Sequence, residues 1–323
     1  MKKQFIAELK DGEIVESTFL VREKNLLNFR KKGGQYLHVL LADRSGEIEA
    51  KLWDNVDDLE KVFHRGSMVM VKGTVVSYLD SLQIKIDNLR LANDSEIDLT
   101  SFVALSDRPV PNMQEELALI VSGMQPGPLN ELVKVFMGST YYEKFCTAPA
   151  AKKFHQNSRG GLMEHTLGVM QICLRIADLH QEIDRDLILM GALFHDIGKI
   201  QEMDFFPDIE YTDEGKLLGH IILGVQILDD LIHKTPGLDA ALRNQLLHMI
   251  TSHHGEYKWQ SPKRPMFLEA KVLHLADMMD AEIWKFKQAV PSHEGGNWSD
   301  FMRTIGNEVF IGNRTAISGE DQQ

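Results

Sequence analysis

Histidine and aspartate side chains interrupt several segments of this sequence that are otherwise apolar and helical in pattern. Burying an ionised aspartate without a partner is costly, and a divalent cation offsets that cost far more strongly than neighbouring imidazoles do. Imidazole combined with carboxylate suits manganese, iron, cobalt or zinc. The sequence therefore predicts a metal site with ligands from distant segments: His165 in LMEHTLGVM, His195 and Asp196 in ALFHDIGKI, His220 in LLGHIIL, His253 and His254 in HMITSHHG, and Asp277 in VLHLADMMD.

The adjacent pair His195 and Asp196 is the centre of this prediction. Neighbouring residues lie about 100° apart around a helix, so a single metal-binding position can accept both side chains. Asp196 extends further around the helix axis than His195. Because a carboxylate has two oxygens, Asp196 can bridge two metal ions. We expect the pair to lie on the inner face of a helix, where an ion meets it.

The segments that carry these residues have the periodicity of packed helices. Apolar residues recur at spacings of three and four from residue 112 onward, for example in GLMEHTLGVMQICLRIADLH and LLGHIILGVQILDDLIHK. We predict an all-α domain over residues 112–312 and a flexible tail over 313–323. Residues 96–111 show little periodicity and end in two closely spaced prolines, which is typical of a linker.

Residues 1–95 show the alternating pattern of β-strands instead. Five apolar runs, with a helix-like insert DNVDDLEKVF between the third and fourth, predict a five-stranded OB-type β-barrel. The fold class is therefore α+β and multidomain, with this barrel ahead of the all-α domain. Strands two and three usually form the binding face of an OB barrel. Tyr36 and Trp53 are available there to stack on bases, although Trp53 could equally fill the core, and Arg30 to Lys32 lie in the preceding loop.

Charge is distributed unevenly along the chain. The net charge of −12 argues against a nucleic-acid binder, since phosphate contacts need surplus lysine and arginine. Residues 1–95 nevertheless contain 15 Lys plus Arg and 15 Asp plus Glu, which leaves 20 against 32 for the remainder. The first part is neutral and the second carries the whole deficit, so we expect the two parts to have different roles.

Other features argue against whole classes of protein. The two cysteines, Cys146 and Cys173, are far apart and lack CxxC spacing, so neither a disulfide framework nor a zinc knuckle is indicated. No apolar run is long enough to span a bilayer, and charges interrupt the start MKKQFIAELKDGEIVE before a secretory apolar core could form. We expect a cytoplasmic protein without a membrane partner.

The order of the predicted ligands along the chain resembles that of the HD superfamily of metal-dependent phosphohydrolases: His, His-Asp, His, His, Asp. The segments GGLMEHTLGV, GALFHDIGKI, LGHIILG, ITSHHGEY and EAKVLHLADMMDA resemble, more specifically, the YhaM-type 3′ to 5′ exoribonucleases, which join an amino-terminal OB domain to an HD domain. The barrel segments YLHVLLADRSGEIEAKLWD and GSMVMVKGTVVSY fit the same family, so the resemblance covers nearly the whole chain.

This resemblance implies two divalent metal ions, foremost Mn²⁺, with Co²⁺, Fe²⁺, Mg²⁺, Ni²⁺ or Zn²⁺ as alternatives. It assigns one ion to His165, His195, Asp196 and Asp277, and a second ion to His220 and His253 with Asp196 bridging. Either His253 or His254 can occupy the ligand position. We align His253 there, which leaves His254 facing substrate. His274 and Asp280 lie about one helical turn from Asp277 and are expected to support the site.

Lys199 follows Gly198 just beyond the His-Asp pair. Its ammonium could simply lie near a helix end, with Gly198 ending the helix. The resemblance instead suggests a catalytic lysine that faces a substrate phosphate, and we favour that interpretation because phosphate must enter an acidic domain. Arg159 and His155 are weaker predictions for the same substrate contact.

Together these features predict a metal-dependent 3′ to 5′ exonuclease that hydrolyses single-stranded RNA, and DNA as an alternative, to nucleoside monophosphates. Two other functions share its features. An HD-type phosphohydrolase acting on nucleotides would use the same ligands, and a single-strand-binding or replication-accessory protein would use the helical domain only as a scaffold. The sequence also allows a homo-oligomer, and it decides neither the metal nor the choice between RNA and DNA.

Overall fold

The computed structural model describes residues 4–29, 33–79, 81–98, 101–102, 108–151, 158–205, 209–289 and 297–312. These residues form two compact units. The first, here the barrel unit, comprises Met1–Leu105 with Phe205–Ile209, and the second, the helical unit, comprises Ser106–Asp204 with Glu210–Gln323. The predicted basic loop Arg30 to Lys32, the substrate residue His155 and the tail 313–323 lie outside the described residues.

The barrel unit contains five strands, β1 Ile14–Asn28, β2 Gln35–Asp43, β3 Gly46–Leu52, β4 Met68–Tyr78 and β5 Ser81–Leu91, with the single-turn helix α1 Val56–Leu59 between β3 and β4. The strands form a closed barrel in the order β1-β2-β3-β5-β4, which confirms the predicted OB-type arrangement. Alternation positions the side chains: Leu37 on β2 and Leu52 on β3 are buried inside, so their neighbours Tyr36 and Trp53 lie on the outer face.

The helical unit is built from α2 Val110–Ser122, α3 Pro128–Met137, α4 Thr140–Thr147, α5 Gly161–Leu179, α6 Arg185–Phe194, α7 Lys199–Glu202, α8 Asp213–His233, α9 Ala240–Ser252 and α10 Leu268–Lys287. Helix α10 packs against α5, α6 and α9, while α8 packs against α7 and α9. These contacts bring together all the segments that carry predicted ligands. The predicted α+β fold class is therefore confirmed.

A short hairpin of β6 Met203–Asp204 and β7 Glu210–Tyr211 follows α7, and the sequence did not predict it because two residues per strand leave no readable alternation. Cys146 and Cys173 are free thiols, both buried, in line with the sequence analysis. None of the helices that the structure describes combines the length and apolar character needed to cross a bilayer.

Candidate metal centre

The His195-Asp196 pair lies in a turn between two helices, and the prediction that it lies within one helix is wrong. Helix α6 ends at Phe194, His195 is its C-cap, and α7 begins only at Lys199. The backbone keeps right-handed helical angles at His195 (φ −54°, ψ −39°) and Gly198 (φ −62°, ψ −19°). The side chains of His195 and Asp196 therefore point nearly in the directions that they would have in a continuous helix.

Gly198 is required by a close approach rather than by the conformation of a helix end. A Cβ atom at this position would lie 1.9 Å from the carbonyl oxygen of His220 and 2.5 Å from the nitrogen of Gly224. Gly198 lies directly before α7 and follows the end of α6 at Phe194, so the interpretation that it ends a helix is wrong. Contact between the turn and α8 brings Asp196 next to His220.

The first cluster consists of His165, His195 and Asp277, from α5, the turn after α6, and α10. The Nε2 atoms of His165 and His195 are 3.1 Å apart, and Oδ1 of Asp277 lies 3.2 Å and 3.8 Å from them. Oδ2 of Asp196 lies 3.6 Å and 3.4 Å from the same two nitrogens. Four side chains from three helical segments thus direct donor atoms at one point.

The second cluster consists of His220, His253 and His254, whose ligand atoms lie within 4.8 Å of one another. The other oxygen of Asp196, Oδ1, is 3.6 Å from Nε2 of His220 and 3.7 Å from Nε2 of His253. Each oxygen of Asp196 therefore faces a different cluster. The structure brings His254 into the second cluster alongside His253, so both members of the double histidine are near the site.

Two of the imidazoles are oriented by the carbonyls at helix ends. The Nδ1–H of His195 donates to the carbonyl of Ala192 at 2.8 Å, and that of His253 donates to the carbonyl of Ile250 at 2.6 Å. The last carbonyls of a helix have no partner within the helix, and these rings satisfy one each. Because a carbonyl can only accept, Nδ1 carries the proton, which leaves the Nε2 lone pair of each ring directed at the site.

Two carboxylates orient the other imidazoles. The Nδ1–H of His165 donates to Oδ2 of Asp280 at 2.7 Å, and Nδ1–H of His220 donates to Oε1 of Glu202 at 3.2 Å. Such pairs fix the ring and increase the basicity of the opposite nitrogen. Asp280 therefore lies where a supporting residue is expected. Sequence reasoning missed Glu202, because its spacing from Asp196 runs across a turn and does not show which way its side chain points.

A break in α8 positions His220. Gly219 has φ 72° and ψ 161°, which interrupts the helix directly before the histidine. The backbone N–H of His220, exposed by this break, donates to Oε1 of Glu202 at 3.0 Å. This region of backbone space is essentially restricted to glycine. A single carboxylate, Glu202, thus caps the second half of α8 and orients the imidazole at its start.

His274, the other expected supporting residue, acts through the backbone. Its Nδ1–H donates to the carbonyl of His253 at 2.8 Å. His274 is buried in α10. His274 therefore holds the end of α9 in place rather than extending the ligand set.

The donor atoms fit divalent cations. Nε2 of His220 and Nε2 of His253 are buried and have no hydrogen-bond partner among the described residues. A buried polar atom without a partner is costly, and here both atoms are lone-pair acceptors that face a carboxylate. Ligands of one ion at about 2.1 Å lie about 3.0–3.4 Å apart, close to the separations in the first cluster. The His and Asp clusters could therefore hold metal, and the chemistry of the donors explains the orphaned nitrogens.

Both aspartates remain ionised in spite of their burial. Burial alone would raise the pKa of Asp196, but the charge of Lys199 and the interaction with His195 outweigh it and hold that pKa well below its usual range. Burial likewise opposes ionisation of Asp277, but the hydrogen bond from His165 outweighs burial and lowers the pKa of Asp277 instead. The site therefore presents two carboxylates at neutral pH.

The imidazoles divide into two groups. Burial would lower the pKa of His165, but Asp277 and Asp280 outweigh burial and raise that pKa to about 9. The pKa values of His253 and His254 are lowered, chiefly by burial. His253 and His254 are therefore neutral near pH 7, whereas His165 carries a proton that a metal ion must displace.

Lys199 directs its ammonium into the same centre. Its Nζ lies 2.6 Å from Oδ2 of Asp196, and only 17% of the side chain is exposed. Burial would lower the pKa of Lys199, but the charge of Asp196 and the hydrogen bond to it raise that pKa. The lysine thus stays charged and contacts the oxygen that faces the first cluster.

The remaining predicted substrate residues lie on other surfaces. Arg159 is half-buried directly ahead of α5. Tyr36 is half-buried on β2, with its ring centroid 5.1 Å from that of Phe29. Trp53 is 41% exposed, and Nζ of Lys85 lies 5.6 Å from its ring centroid. The alternative that Trp53 fills the barrel core is therefore wrong.

Comparisons with known proteins agree with this architecture. Residues 162–282 match the family model described as HD domain, and residues 20–92 match that of an OB-fold nucleic acid binding domain. The HD domain indicates a metal-dependent phosphohydrolase.

Similar solved structures cover chiefly the barrel. The second OB-fold domain of replication protein A from Methanococcus maripaludis is 26% identical, covering 28% of this chain and 95% of that one, with a TM-score of 0.24. The OB domain of a Methanosarcina mazei protein is 18% identical, covering 32% and 94%, with a TM-score of 0.24. Asparaginyl-tRNA synthetase from Pyrococcus horikoshii is 13% identical, covering 75% and 61%, with a TM-score of 0.25.

Proposed function

We propose, from an OB-fold domain followed by an HD domain, that this protein is a metal-dependent exonuclease that shortens single-stranded RNA, and also DNA, from the 3′ end and releases nucleoside monophosphates. The observation that supports this proposal most directly is the position of Asp196. Its two oxygens face two separate groups of histidines, which is the arrangement of a two-metal phosphodiesterase site.

His165, His195 and Asp277 would hold one ion, and His220 and His253 the other, with Asp196 shared between them. His254 is close enough either to join the second group or to contact substrate. Mn²⁺ is the proposed ion, and Co²⁺, Fe²⁺, Mg²⁺, Ni²⁺ and Zn²⁺ are compatible with the same donors. When bound, the metals would supply Lewis-acid stabilisation and an activated water.

Lys199 is proposed as a catalytic residue. Its raised pKa keeps the ammonium protonated, and its contact with Asp196 holds it at the centre of the site. A fixed cation in a buried site stabilises negative charge on a reacting phosphate more strongly than it would in water. Arg159 and His155 are proposed to help phosphate approach from the segment that precedes α5.

The barrel, proposed to span residues 1–95, would bind the single strand, and the helical domain, proposed for residues 112–312, would hydrolyse it. The exposed ring of Trp53, with Lys85 over it, combines a stacking surface with a positive charge, and Tyr36 lies on the same outer face. Such local contacts make the net charge of −12 compatible with a polyanionic substrate. A cytoplasmic location and a homo-oligomer stay predictions.

The test uses the full chain with Mn²⁺ and single-stranded RNA labelled at its 5′ end. A ladder of products that shorten stepwise from the 3′ end is expected. Asp196→Ala should abolish shortening while strand binding persists, and Asp300→Ala, which changes an exposed aspartate of the helical unit, should behave like the wild type. Strand binding without metal-dependent shortening would contradict the proposal and favour a non-catalytic single-strand-binding protein.

A further inference from the structure

A cavity of about 400 Å³ opens beside the second cluster. All of its lining residues belong to the helical unit. Its volume falls within the roughly 300–1,000 Å³ of small-molecule sites. The roles already given to Lys199, Glu202, Gly219, His220 and His254 account for part of this lining and leave Tyr211 and Gln260 without a role.

The lining of the cavity combines two kinds of chemistry. Lys199, His220 and His254 contribute an ammonium and two imidazoles. Tyr211 and Met203, which the β6–β7 pairing holds opposite each other, contribute a phenol ring and an apolar side chain. Charged and aromatic groups in one cavity suit a ligand that has both a phosphate and a flat ring.

The ring of Tyr211 offers a stacking surface. Tyr211 is 41% exposed although it lines the cavity, so its ring is covered neither by the core nor by another aromatic ring among the described residues. A base stacks on such a ring whatever its identity, because every base has a π face. Stacking of a base on Tyr211 would give the short β6–β7 hairpin a role in binding.

Gln260 adds a polar group to the same cavity. It has φ 66° and ψ 21°, a left-handed conformation that is uncommon for a residue other than glycine. Two hydrogen bonds fix this segment: Gln260 N–H donates to the carbonyl of Tyr257 at 3.0 Å, and the Nδ1–H of His254 donates to the carbonyl of Trp259 at 2.9 Å. An amide with both donors and acceptors can pair with the edge of a base.

We infer that this cavity receives the terminal nucleoside of the strand, with its phosphate towards Lys199 and the second cluster and its base on Tyr211. The inference rests on the proposed function for its substrate and deepens it. A cavity sized for one nucleotide also binds the product, a nucleoside 5′-monophosphate. It would limit cleavage to one residue at a time.

The experiment measures binding of adenosine 5′-monophosphate to the Mn²⁺-loaded full chain by titration calorimetry, with adenosine 3′-monophosphate, adenosine and inorganic phosphate as comparison ligands. The 5′-monophosphate should bind most tightly and inhibit RNA shortening competitively. Tyr211→Ala should weaken its binding about tenfold, the effect of losing one base–aromatic stack. Tyr211→Phe should retain it, and Tyr78→Ala, which removes an exposed tyrosine of the barrel unit outside the cavity, should bind like the wild type.

Either of two results would overturn the inference: equal affinity of the wild type and Tyr211→Ala for the 5′-monophosphate, or inorganic phosphate binding as tightly as the nucleotide. Gln260→Ala, expected to weaken nucleotide binding but not phosphate binding, is a second variant if Tyr211→Ala does not fold. If the protein shortens RNA but Tyr211→Ala binds the nucleotide as tightly as the wild type, only this inference is refuted. If Tyr211→Ala weakens nucleotide binding but the protein does not shorten RNA, only the proposed exonuclease activity is refuted.

Discussion

At the scale of single residues, the chemistry of the site converges on one carboxylate. Asp196 lies 3.4–3.7 Å from the Nε2 atoms of His195, His165, His220 and His253, and 2.6 Å from Nζ of Lys199. Any change in its charge therefore alters both clusters and the lysine together.

Asp196→Asn should empty both metal positions. The amide keeps the size of the side chain but loses the negative charge, so the histidines of both clusters lose the anionic ligand between them. Metal content measured by mass spectrometry should fall for both ions. Asp300→Asn provides the matched control. Retention of one full equivalent of metal would contradict the bridging role.

Glu202→Gln should weaken the second cluster alone. The amide can no longer serve as an anionic acceptor for Nδ1–H of His220, and loss of such an orienting carboxylate typically costs about 10–100-fold in metal affinity. Metal titration should show one weakened and one unchanged site. Glu214→Gln, at an exposed glutamate in α8, is the control. Equal weakening of both sites would argue against the assignment of Glu202 to His220.

Metal affinity should decrease as pH falls below about 9. His165 has a pKa raised to about 9, so below that pH a metal must displace its proton, and the apparent affinity of the first cluster drops about tenfold per pH unit. The lowered pKa values of Asp196, Asp277 and His253 keep these groups from competing near neutrality.

Chelator-competition titrations between pH 7 and 10 check this dependence. Asp280→Asn should shift the inflection to lower pH, because it removes a partner that raises the His165 pKa. A metal affinity that is constant between pH 7 and 9 would show that Asp277 and Asp280 do not raise the pKa of His165.

At the scale of the elements, helix ends and breaks determine where the ligands point. His195 and His253 both lie at C-caps and donate to carbonyls of the last turn, while His220 follows the break at Gly219. Backbone that would otherwise lack hydrogen-bond partners thus orients the imidazoles. The geometry of the site depends on where helices stop as much as on how they pack.

Gly219→Ala should damage the second cluster through the backbone. An alanine at φ 72°, ψ 161° is strained by about 1–3 kcal/mol, and relief of that strain would move His220 away from Asp196. The expected result is a lower unfolding free energy together with loss of one metal equivalent.

Gly237→Ala is the matched control for this prediction. Gly237 also has a positive φ, of 84°, but lies in an exposed turn where an added Cβ would meet only a side-chain atom of Pro128 at 3.7 Å. This variant should lose stability without losing metal. If both variants kept full metal content, the break in α8 would not be what positions His220.

At the scale of the whole molecule, strand binding and hydrolysis are proposed for different units. The barrel unit carries the exposed Trp53 directly after β3, Lys85 on β5 and the half-buried Tyr36 on β2, and the helical unit carries the clusters and the cavity. The neutral charge of residues 1–95, beside the acidic remainder, is consistent with this division.

Trp53→Ala should weaken binding of a long single strand without changing metal content. Loss of one base–aromatic stack costs about 1–3 kcal/mol, which corresponds to a fivefold or larger increase in Kd. Fluorescence anisotropy with a labelled strand provides the measurement. Trp298→Ala, which removes another exposed tryptophan outside the barrel, should leave the Kd unchanged. An equal loss in both variants would argue against a specific role for the outer face of the barrel.

The sequence by itself determined the types and order of the predicted ligands, the strand count of the barrel and the helical character of the second unit. Alternation and three-to-four spacing are local signals, so Leu37, Leu52 and the buried faces of α5 and α10 could be read directly. Histidine and aspartate residues within those apolar faces likewise stand out in the local pattern, and they indicated a metal ion.

Only the tertiary structure decided which atoms meet. It gave each oxygen of Asp196 its own cluster, brought His254 beside His253, and revealed Glu202, the break at Gly219 and the cavity beside Tyr211. The predicted ligands from His165 to Asp277 span more than a hundred positions of the chain, and spacing along a chain does not encode distances across packed helices. Directions at helix ends depend on backbone angles that neighbouring helices impose, and residue types alone do not specify those angles.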